Sequence, residues 1–374
     1  MAGHFNGGGP RWRILVRRLH LCLGLALGLL FALLGLTGSA LVFYTGIDAA
    51  LHPAIAAAPG AAPPALDARV WDDALATGRA LHSQAGDKWT MEVTGEAGPI
   101  PARYYPAPGG HHADRQMLWF SADGRRILRI APWGGYLMSW LYRLHMELLA
   151  GDIGMQIVGW SGVAMLVLLA SGLVAWWPRG RWAKAIAFKR DAAPIRRLRD
   201  LHKLAGLWSM GLLFVLVATG VLLALPSVTQ ALLAPAAIPA PRSAPRPAGR
   251  IALADAFRIA RRAVPDGRIV FVDVPGPGAA PIRVRMQVPG DPHRRFPGSY
   301  VFVDPGSGRV LAVHDVRRAG TGTALNAWVR TLHDGTVGGL ATRILAVVLG
   351  FVPAFLFGTG LLHWLRRRRQ ASSG

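Results

Sequence analysis

Four histidines of this sequence stand next to long apolar runs, where an ionisable side chain is costly. His20 and His202 open two of these runs, and His145 and His333 precede two others. An ionisable residue beside or inside a membrane span usually serves a function. Histidine is a common axial ligand of haem iron. We therefore expect two haems, one held by His20 and His202 and the other by His145 and His333.

Glycines accompany these histidines at helical spacing. Gly24 follows His20 by one turn, and Gly206 follows His202 in the same way, so each pair shares a helix face. A side chain at either glycine would fill space that a porphyrin face needs, which makes both candidate cofactor-binding residues. Plain helix–helix packing is the alternative, because small residues let membrane helices approach closely. Further glycines cluster after the second histidine pair: Gly151, Gly154, Gly335, Gly338 and Gly339.

The cysteine content limits how a haem could be attached. Cys22 is the one cysteine of the sequence, and no Cys-x-x-Cys-His motif is present. Covalent c-type attachment is therefore excluded. Any haem would be haem b, held by axial ligands and by packing.

The composition indicates a membrane protein. Hydrophobic residues make up 52% of the 374 positions, and the mean hydropathy is +0.31. Runs of this length and polarity predict membrane-spanning helices. Four runs qualify, at roughly residues 19–44, 153–177, 201–225 and 344–364.

The net charge of +22 is concentrated at the ends of these runs. Basic residues precede the first run, fill the link between the second and third, and follow the fourth. Positive charge favours the cytoplasmic side, so both termini are expected in the cytoplasm and the two long loops outside it. Nucleic-acid binding is disfavoured because the basic residues lie against the spans. A cleaved signal peptide is disfavoured because the first run is too long.

The two halves of the chain share residues in register. When His20 is aligned with His202 and His145 with His333, glycine, threonine and tryptophan positions coincide as well. This pattern predicts a four-transmembrane-helix bundle built from two parallel repeats. His52 and His363 have no counterpart in the other half and rank below the four. The coincident pairs include Gly24–Gly206, Thr37–Thr219, Gly38–Gly220, Trp140–Trp328, Gly172–Gly360 and Trp176–Trp364.

The loops outside the membrane predict small α+β domains. Each begins with an Ala/Pro-rich linker, at 56–65 and 234–247, and a short helical pattern follows at 68–83 and 253–264. Val-, Ile- and Phe-rich runs then predict antiparallel strands. Each domain alone would have a thin core, so we expect them to pack on each other or on the bundle. The strands are expected at 116–121, 126–130, 268–274, 282–288, 299–303 and 310–315.

The resulting domain plan alternates spans and loops. It comprises an N-terminus at 1–18, a first span at 19–46, a first external domain at 47–141, a second span at 142–178, a basic loop at 179–200, a third span at 201–225, a second external domain at 226–331, a fourth span at 332–365 and a basic tail at 366–374.

Trp140 and Trp328 precede His145 and His333, the ligands expected near the external face. We expect these tryptophans either to pack on the haem held there or to join the interfacial aromatic belt. The pair His111-His112 is expected in a solvated loop.

These motifs resemble the PepSY-associated transmembrane family of bacterial inner-membrane proteins over nearly the whole chain. The second loop resembles a PepSY domain that ends in the hairpin Asp304-Pro305-x-x-Gly308-x-Val310, and the first loop resembles a divergent copy. Leu21-Cys22 departs from the basic or aromatic residue that usually follows the first histidine. The other motifs are Leu19-His20-x-x-x-Gly24-Leu25, Leu201-His202-x-x-x-Gly206-Leu207 and Leu332-His333-Asp334-Gly335.

The resemblance implies iron acquisition at the bacterial inner membrane, because family members include haem-containing ferric-siderophore reductases. An electron would enter from a cytoplasmic or quinol donor and leave to a ferric siderophore in the periplasm. A membrane core roughly 30 Å thick calls for two haems along the bundle. Reduction would release the iron, since hard oxygen ligands favour Fe(III) over Fe(II).

Two other functions remain open. The chain could be a membrane-anchored PepSY binding or regulatory protein without redox activity, in which the histidines are structural. It could also transport iron or haem, although four helices whose spans hold no carboxylate leave little room for a substrate path. Absorbance in the haem region separates the first alternative from electron transfer.

Overall fold

The structure is a computed structural model. It describes residues 11–57, 60–82, 88–106, 115–178, 180, 182–243, 250–276 and 278–372. The predicted loop pair His111-His112 and parts of both Ala/Pro-rich linkers lie outside these residues. The chain divides into two compact units. We call them the helical unit (Met1–Phe43, Tyr142–Val228 and Leu332–Gly374) and the sheet unit (Tyr44–Leu141 and Thr229–Thr331).

Within the described residues, four helices are long and apolar enough to cross a membrane. They are α1 (Arg11–Leu41), α5 (Gly151–Trp176), α7 (Pro194–Ala224) and α11 (Gly339–Ser372). Large apolar side chains cover their outer surfaces, with Trp208 75% and Ile153 74% exposed. A helix that is apolar all round and not covered by protein is typical of a membrane span. The prediction of four membrane helices is therefore supported.

The four long helices form a closed bundle in which α1 contacts α5 and α11, and α7 contacts the same two helices. Small residues bring the backbones close together. A Cβ atom added at Gly35 would overlap the carbonyl oxygen of Gly350, and Ser39 donates a hydrogen bond to Val347 O over 2.8 Å. Close approach at small residues is how membrane helices gain packing energy.

Two of the short helices lead into long ones along the chain. The helix α4 (Leu137–Glu147) precedes α5, and α10 (Gly320–His333) precedes α11. The remaining short helices are α2 (Tyr44–Leu51), α3 (Val70–Leu81), α6 (Trp182–Ile186), α8 (Pro226–Leu233) and α9 (Leu253–Ala263).

The sheet unit is built on one antiparallel sheet of eight strands in the order β4-β3-β2-β1-β5-β6-β7-β8. The first loop supplies β1 (Lys88–Glu92), β2 (Ile100–Tyr105), β3 (Gln116–Phe120) and β4 (Ile127–Pro132). The second loop supplies β5 (Arg268–Val274), β6 (Ile282–Gln287), β7 (Ser299–Val303) and β8 (Val310–His314).

The strands β1 and β5 join the two loops, and their register runs from Trp89 opposite Val274 to Glu92 opposite Phe271. The two predicted external domains therefore share a single sheet. The helices α3 and α9 pack on each other with the rings of Trp71 and Phe257 5.5 Å apart, and both contribute to one core cluster. The expectation that the two domains pack together is confirmed, and a common core offsets the small size of each half.

The local predictions for this unit agree closely with the structure. All six expected strands and both expected helices are present, each within two residues of the predicted ends. The helix α9 buries Leu253, Ala256, Phe257 and Ala260, an i, i+3, i+4, i+7 stripe that predicts an amphipathic helix. The strands β1 and β2 were not predicted, because charged residues, Lys88 and Glu92, stand at both ends of β1 and Pro101 interrupts the run of β2.

Candidate functional site

The first histidine pair comes together inside the helical unit. His20 on α1 and His202 on α7 have ring centroids 6.3 Å apart, and their ring planes stand at 87° to each other. Both side chains are half-buried. The structure therefore brings together the two residues that share a position in the two halves of the sequence.

The second pair also meets in the helical unit. His145 on α4 and His333 on α10 have ring centroids 6.1 Å apart, with an angle of 43° between the planes. These residues stand at the C-terminal parts of their short helices, just before the turns that lead into α5 and α11. Each predicted pair is thus adjacent in space, and the two pairs use different helices.

Backbone carbonyls hold the rings of the first pair. His20 Nδ1 lies 3.2 Å from Leu168 O and 3.2 Å from Ser171 Oγ on α5. His202 Nδ1 lies 3.0 Å from Leu356 O on α11 and 3.1 Å from the hydroxyl of Thr359. A carbonyl oxygen can only accept, so Nδ1 carries the proton and the lone pair of each neutral ring is on Nε2.

The second pair is held in the same manner. His145 Nδ1 donates to Leu34 O over 3.0 Å, with the hydroxyl of Thr37 at 3.1 Å. His333 Nδ1 donates to Leu216 O over 2.9 Å, and the hydroxyl of Thr219 lies 3.4 Å from the same nitrogen. All four rings are therefore oriented by a carbonyl and a hydroxyl of a neighbouring long helix, and all four keep Nε2 as the basic nitrogen.

Four glycines let the rings approach these helices. A Cβ atom added at Gly38 or at Gly220 would stand 2.9 Å from the Cε1 atom of His145 or His333, respectively. At Gly172 the distance to His20 Cε1 would be 3.0 Å, and at Gly360 the distance to His202 Cε1 would be 3.3 Å. Sequence reasoning did not assign these glycines or the hydroxyl residues to the site. The sequence feature that could have identified them is their recurrence at matching positions in both halves.

The predicted cofactor-binding glycines lie in open surroundings. A Cβ atom at Gly24 would find Leu168 Cδ1 at 3.9 Å as its nearest neighbour, and one at Gly206 would find Leu356 Cδ2 at 3.8 Å. Both are ordinary van der Waals distances. Protein packing therefore does not demand glycine at either position.

The glycines that follow the second pair have a local explanation. Gly151, Gly335 and Gly339 have φ angles of +60°, +74° and +68°, which L-residues rarely adopt. A Cβ atom at Gly154 would overlap the carbonyl of Glu147. Backbone conformation and close packing therefore explain why glycine stands at these positions.

The lower-ranked histidines lie in different parts of the structure. His52 lies in the sheet unit, where its Nδ1 is 2.8 Å from Asp48 O. His363 is on α11, three residues after Gly360, and lies near enough to His202 to interact with it electrostatically. Trp140 and Trp328 are 42% and 44% exposed.

The donor set is two imidazoles per site. Among the described residues, no group of three or more His, Cys, Asp or Glu side chains could hold a metal ion. A bare zinc or copper ion needs three or four protein ligands. A metal carried in a macrocycle needs fewer ligands from the protein. The two imidazoles of each pair, with ring centroids 6.3 and 6.1 Å apart, would be the residues that hold such a group.

Comparison with known proteins agrees with the helical architecture. The model of a family described as the PepSY-associated TM region matches residues 17–367. Over 99 residues, 26% of this chain, the sequence is 34% identical to the uncharacterized protein PA4219 of Pseudomonas aeruginosa. That alignment spans 25% of the relative's length. Because the family match covers nearly the whole chain, the protein belongs to the PepSY-associated transmembrane family.

Proposed function

We propose that this protein is a di-haem b electron-transfer protein of the bacterial inner membrane that reduces ferric siderophores on the periplasmic side, as a step in iron acquisition. The observation that carries the proposal is the pairing of four histidines at centroid distances of 6.3 and 6.1 Å. A bound haem would supply one-electron transfer at each pair. His20 and His202 would hold one haem, and His145 and His333 the other.

Hydrogen bonds orient these histidines in a way that suits metal ligation. Each Nδ1–H is engaged by a carbonyl, for example Leu168 O for His20 and Leu34 O for His145. Such contacts select the tautomer, orient the ring and raise the basicity of Nε2. No close protein contact requires glycine at Gly24 or Gly206, which is consistent with a flat group packing on these positions beside His20 and His202.

The two pairs stand at different heights along the bundle. The helix α1 carries His20 and also Leu34, the carbonyl partner of His145, and α7 repeats this arrangement with His202 and Leu216. Residues 20 and 34 are separated by about 21 Å of helix at 1.5 Å per residue. A membrane core is roughly 30 Å thick, so redox groups at both heights would span most of it.

The proposal also includes the orientation of the chain in the membrane and its two parallel repeats. The basic residues at the ends of the spans favour four spans with both termini in the cytoplasm and both long loops in the periplasm. Equivalent contacts support two parallel repeats, since Leu168 and Ser171 serve His20 as Leu356 and Thr359 serve His202. Each repeat would contribute one PepSY-like half to the shared sheet.

The electron would come from a cytoplasmic or quinol donor and reduce Fe(III) of the siderophore complex to Fe(II). No nucleic acid takes part. This assignment makes the protein a ferric-siderophore reductase-type oxidoreductase.

The decisive experiment is an absorption spectrum of the full chain purified in detergent, oxidised and dithionite-reduced, with haem content per chain. Low-spin b-type bands at about two haems per chain are expected. Re-oxidation of the reduced protein by a ferric siderophore, followed with an Fe(II)-specific chelator, tests the reductase step. A protein that lacks haem even when haem supply is ample would contradict the proposal and favour a membrane-anchored PepSY binding or regulatory protein.

A further inference from the structure

A cleft of about 480 Å³ opens on the sheet unit where the two halves of the sheet meet. Asp273 on β5 and Arg283 on β6 line it, together with Lys88 at the start of β1. Arg242, from the segment before α9, completes the charged lining. The size is within the range of small-molecule sites. The first loop contributes Lys88, and the second loop contributes the rest of the lining.

The charges of this cleft do not cancel. Asp273 accepts hydrogen bonds of 2.6 Å from Thr90 Oγ1 and 2.6 Å from Arg283 Nε. The charge of Arg283 is therefore balanced by Asp273. Lys88 and Arg242 make no ion pair within 4 Å with any described residue. Lys88 also acts electrostatically on Asp273. Three cationic side chains, those of Lys88, Arg242 and Arg283, therefore face a single carboxylate in the lining, and the net charge of the cleft is positive.

The rest of the lining is apolar and stiff. Four prolines contribute to it, and proline fixes φ near −65°. The backbone N–H of Ser243 donates to Ala279 O over 2.7 Å, which ties the two segments that form the walls. A cleft whose walls are already ordered loses little conformational entropy when a ligand enters. The prolines are Pro239, Pro241, Pro275 and Pro281.

We infer that this cleft binds an anionic small molecule, and that the ferric complexes handled by this protein are anionic ones whose oxygen-rich ligands meet Lys88 and Arg242. The inference rests on the proposed function. An ammonium and a guanidinium group form charge-assisted hydrogen bonds with carboxylate or catecholate oxygens, and the proline walls suit the carbon skeleton of a chelator. A cationic chelate would be repelled by the same groups.

The test measures binding of gallium(III) complexes to the full-length protein in detergent. Gallium(III) copies the charge and shape of a ferric complex but is not reduced, so binding does not depend on electron transfer. The probes are the anionic gallium tris-catecholate of enterobactin and the cationic gallium complex of desferrioxamine B. We expect the anionic complex to bind, and the double variant Lys88→Gln/Arg242→Gln to bind it at least about tenfold more weakly. The variant Lys88→Arg/Arg242→Lys should retain binding.

The matched control is Arg258→Gln/Arg309→Gln, which also removes two positive charges from exposed positions of the sheet unit that do not line the cleft. It should bind as the unchanged protein does. Equal weakening in the control, equal affinity for the cationic complex, or no binding of the anionic complex would overturn the inference. Haem content of the same samples reports on the proposed function separately, because a haem-free protein can still bind gallium complexes and a haem-loaded one can fail to.

Discussion

The ring centroids of His20 on α1 and His202 on α7 are 6.3 Å apart, although the two helices are far apart in sequence. Each ring is held from behind by a different long helix, His20 by α5 and His202 by α11. All four spans therefore take part in placing this one pair, and the pair cannot form before the bundle does.

Replacement of one histidine should empty one site and leave the other. In His20→Ala or His202→Ala we expect haem content to fall from about two to about one per chain, because a single axial histidine holds a b-type haem weakly. The same loss should follow from His145→Ala or His333→Ala. The measurement is a pyridine haemochrome assay on protein purified from haem-supplemented cells. His52→Ala, which lies in the sheet unit, should keep both haems, and loss there would contradict the assignment.

A methyl group at Gly24 or Gly206 should act against the cofactor alone. The nearest protein atom to such a Cβ is 3.9 or 3.8 Å away, so alanine fits the protein, and alanine favours a helix interior over glycine by about 1 kcal/mol. We expect both variants to be as stable as the unchanged protein without haem but to retain less of it at the His20–His202 pair.

The control for these variants is Gly211→Ala on α7, where an added Cβ meets no atom within 4 Å. Thermal unfolding of haem-depleted protein and a haem titration separate the two effects. If Gly24→Ala and Gly211→Ala bind haem equally well, the porphyrin does not pack on Gly24 beside His20.

In the sheet unit, a side chain of the first loop caps a helix of the second loop. Asp72 on α3 accepts two hydrogen bonds from the backbone N–H of Leu253, the first residue of α9, at 3.1 and 3.0 Å. Asp72→Ala should lower the free energy of unfolding by about 1–2 kcal/mol, as loss of a helix cap does. Asp67→Ala, at an exposed position nearby, is the comparison, and a similar loss of stability in both variants would argue against the cap.

The stability of the sheet unit should fall in acid through Asp273. Burial alone would raise the pKa of this carboxyl, but Lys88, Arg283 and the hydrogen bond from Thr90 together hold the pKa below its ordinary value. A carboxyl with a depressed folded-state pKa contributes stability above its unfolded pKa of about 3.9 and loses it as the pH falls toward the folded pKa.

This acid effect is checked by the thermal unfolding midpoint between about pH 6 and pH 3. Asp273→Asn should be less stable at pH 6 and should show a shallower decline in acid, because the variant has no carboxyl to protonate. Parallel pH profiles of the two proteins would show that other groups dominate the acid response.

Much of the local structure follows from sequence periodicity. The α9 stripe of Leu253, Phe257 and their neighbours predicts its helix, and the Val-rich runs of β5 to β8 predict their strands. The strands β1 and β2 were not predicted, because β1 begins and ends with a charged residue and β2 contains Pro101. Their stability comes from partners on both sides, which is a tertiary property that a local pattern does not carry.

The sequence by itself determined the four spans, the four histidines and how those histidines pair, because apolar run length and matching positions in two halves are written along the chain. Only the tertiary structure decided what holds each ring. The carbonyl of Leu168, the hydroxyl of Thr37 and the bare backbone of Gly220 act through distances between helices that no spacing along the chain records. The single sheet was likewise decided by tertiary structure, because strand edges such as those of β1 and β5 pair with whichever partner the fold brings beside them.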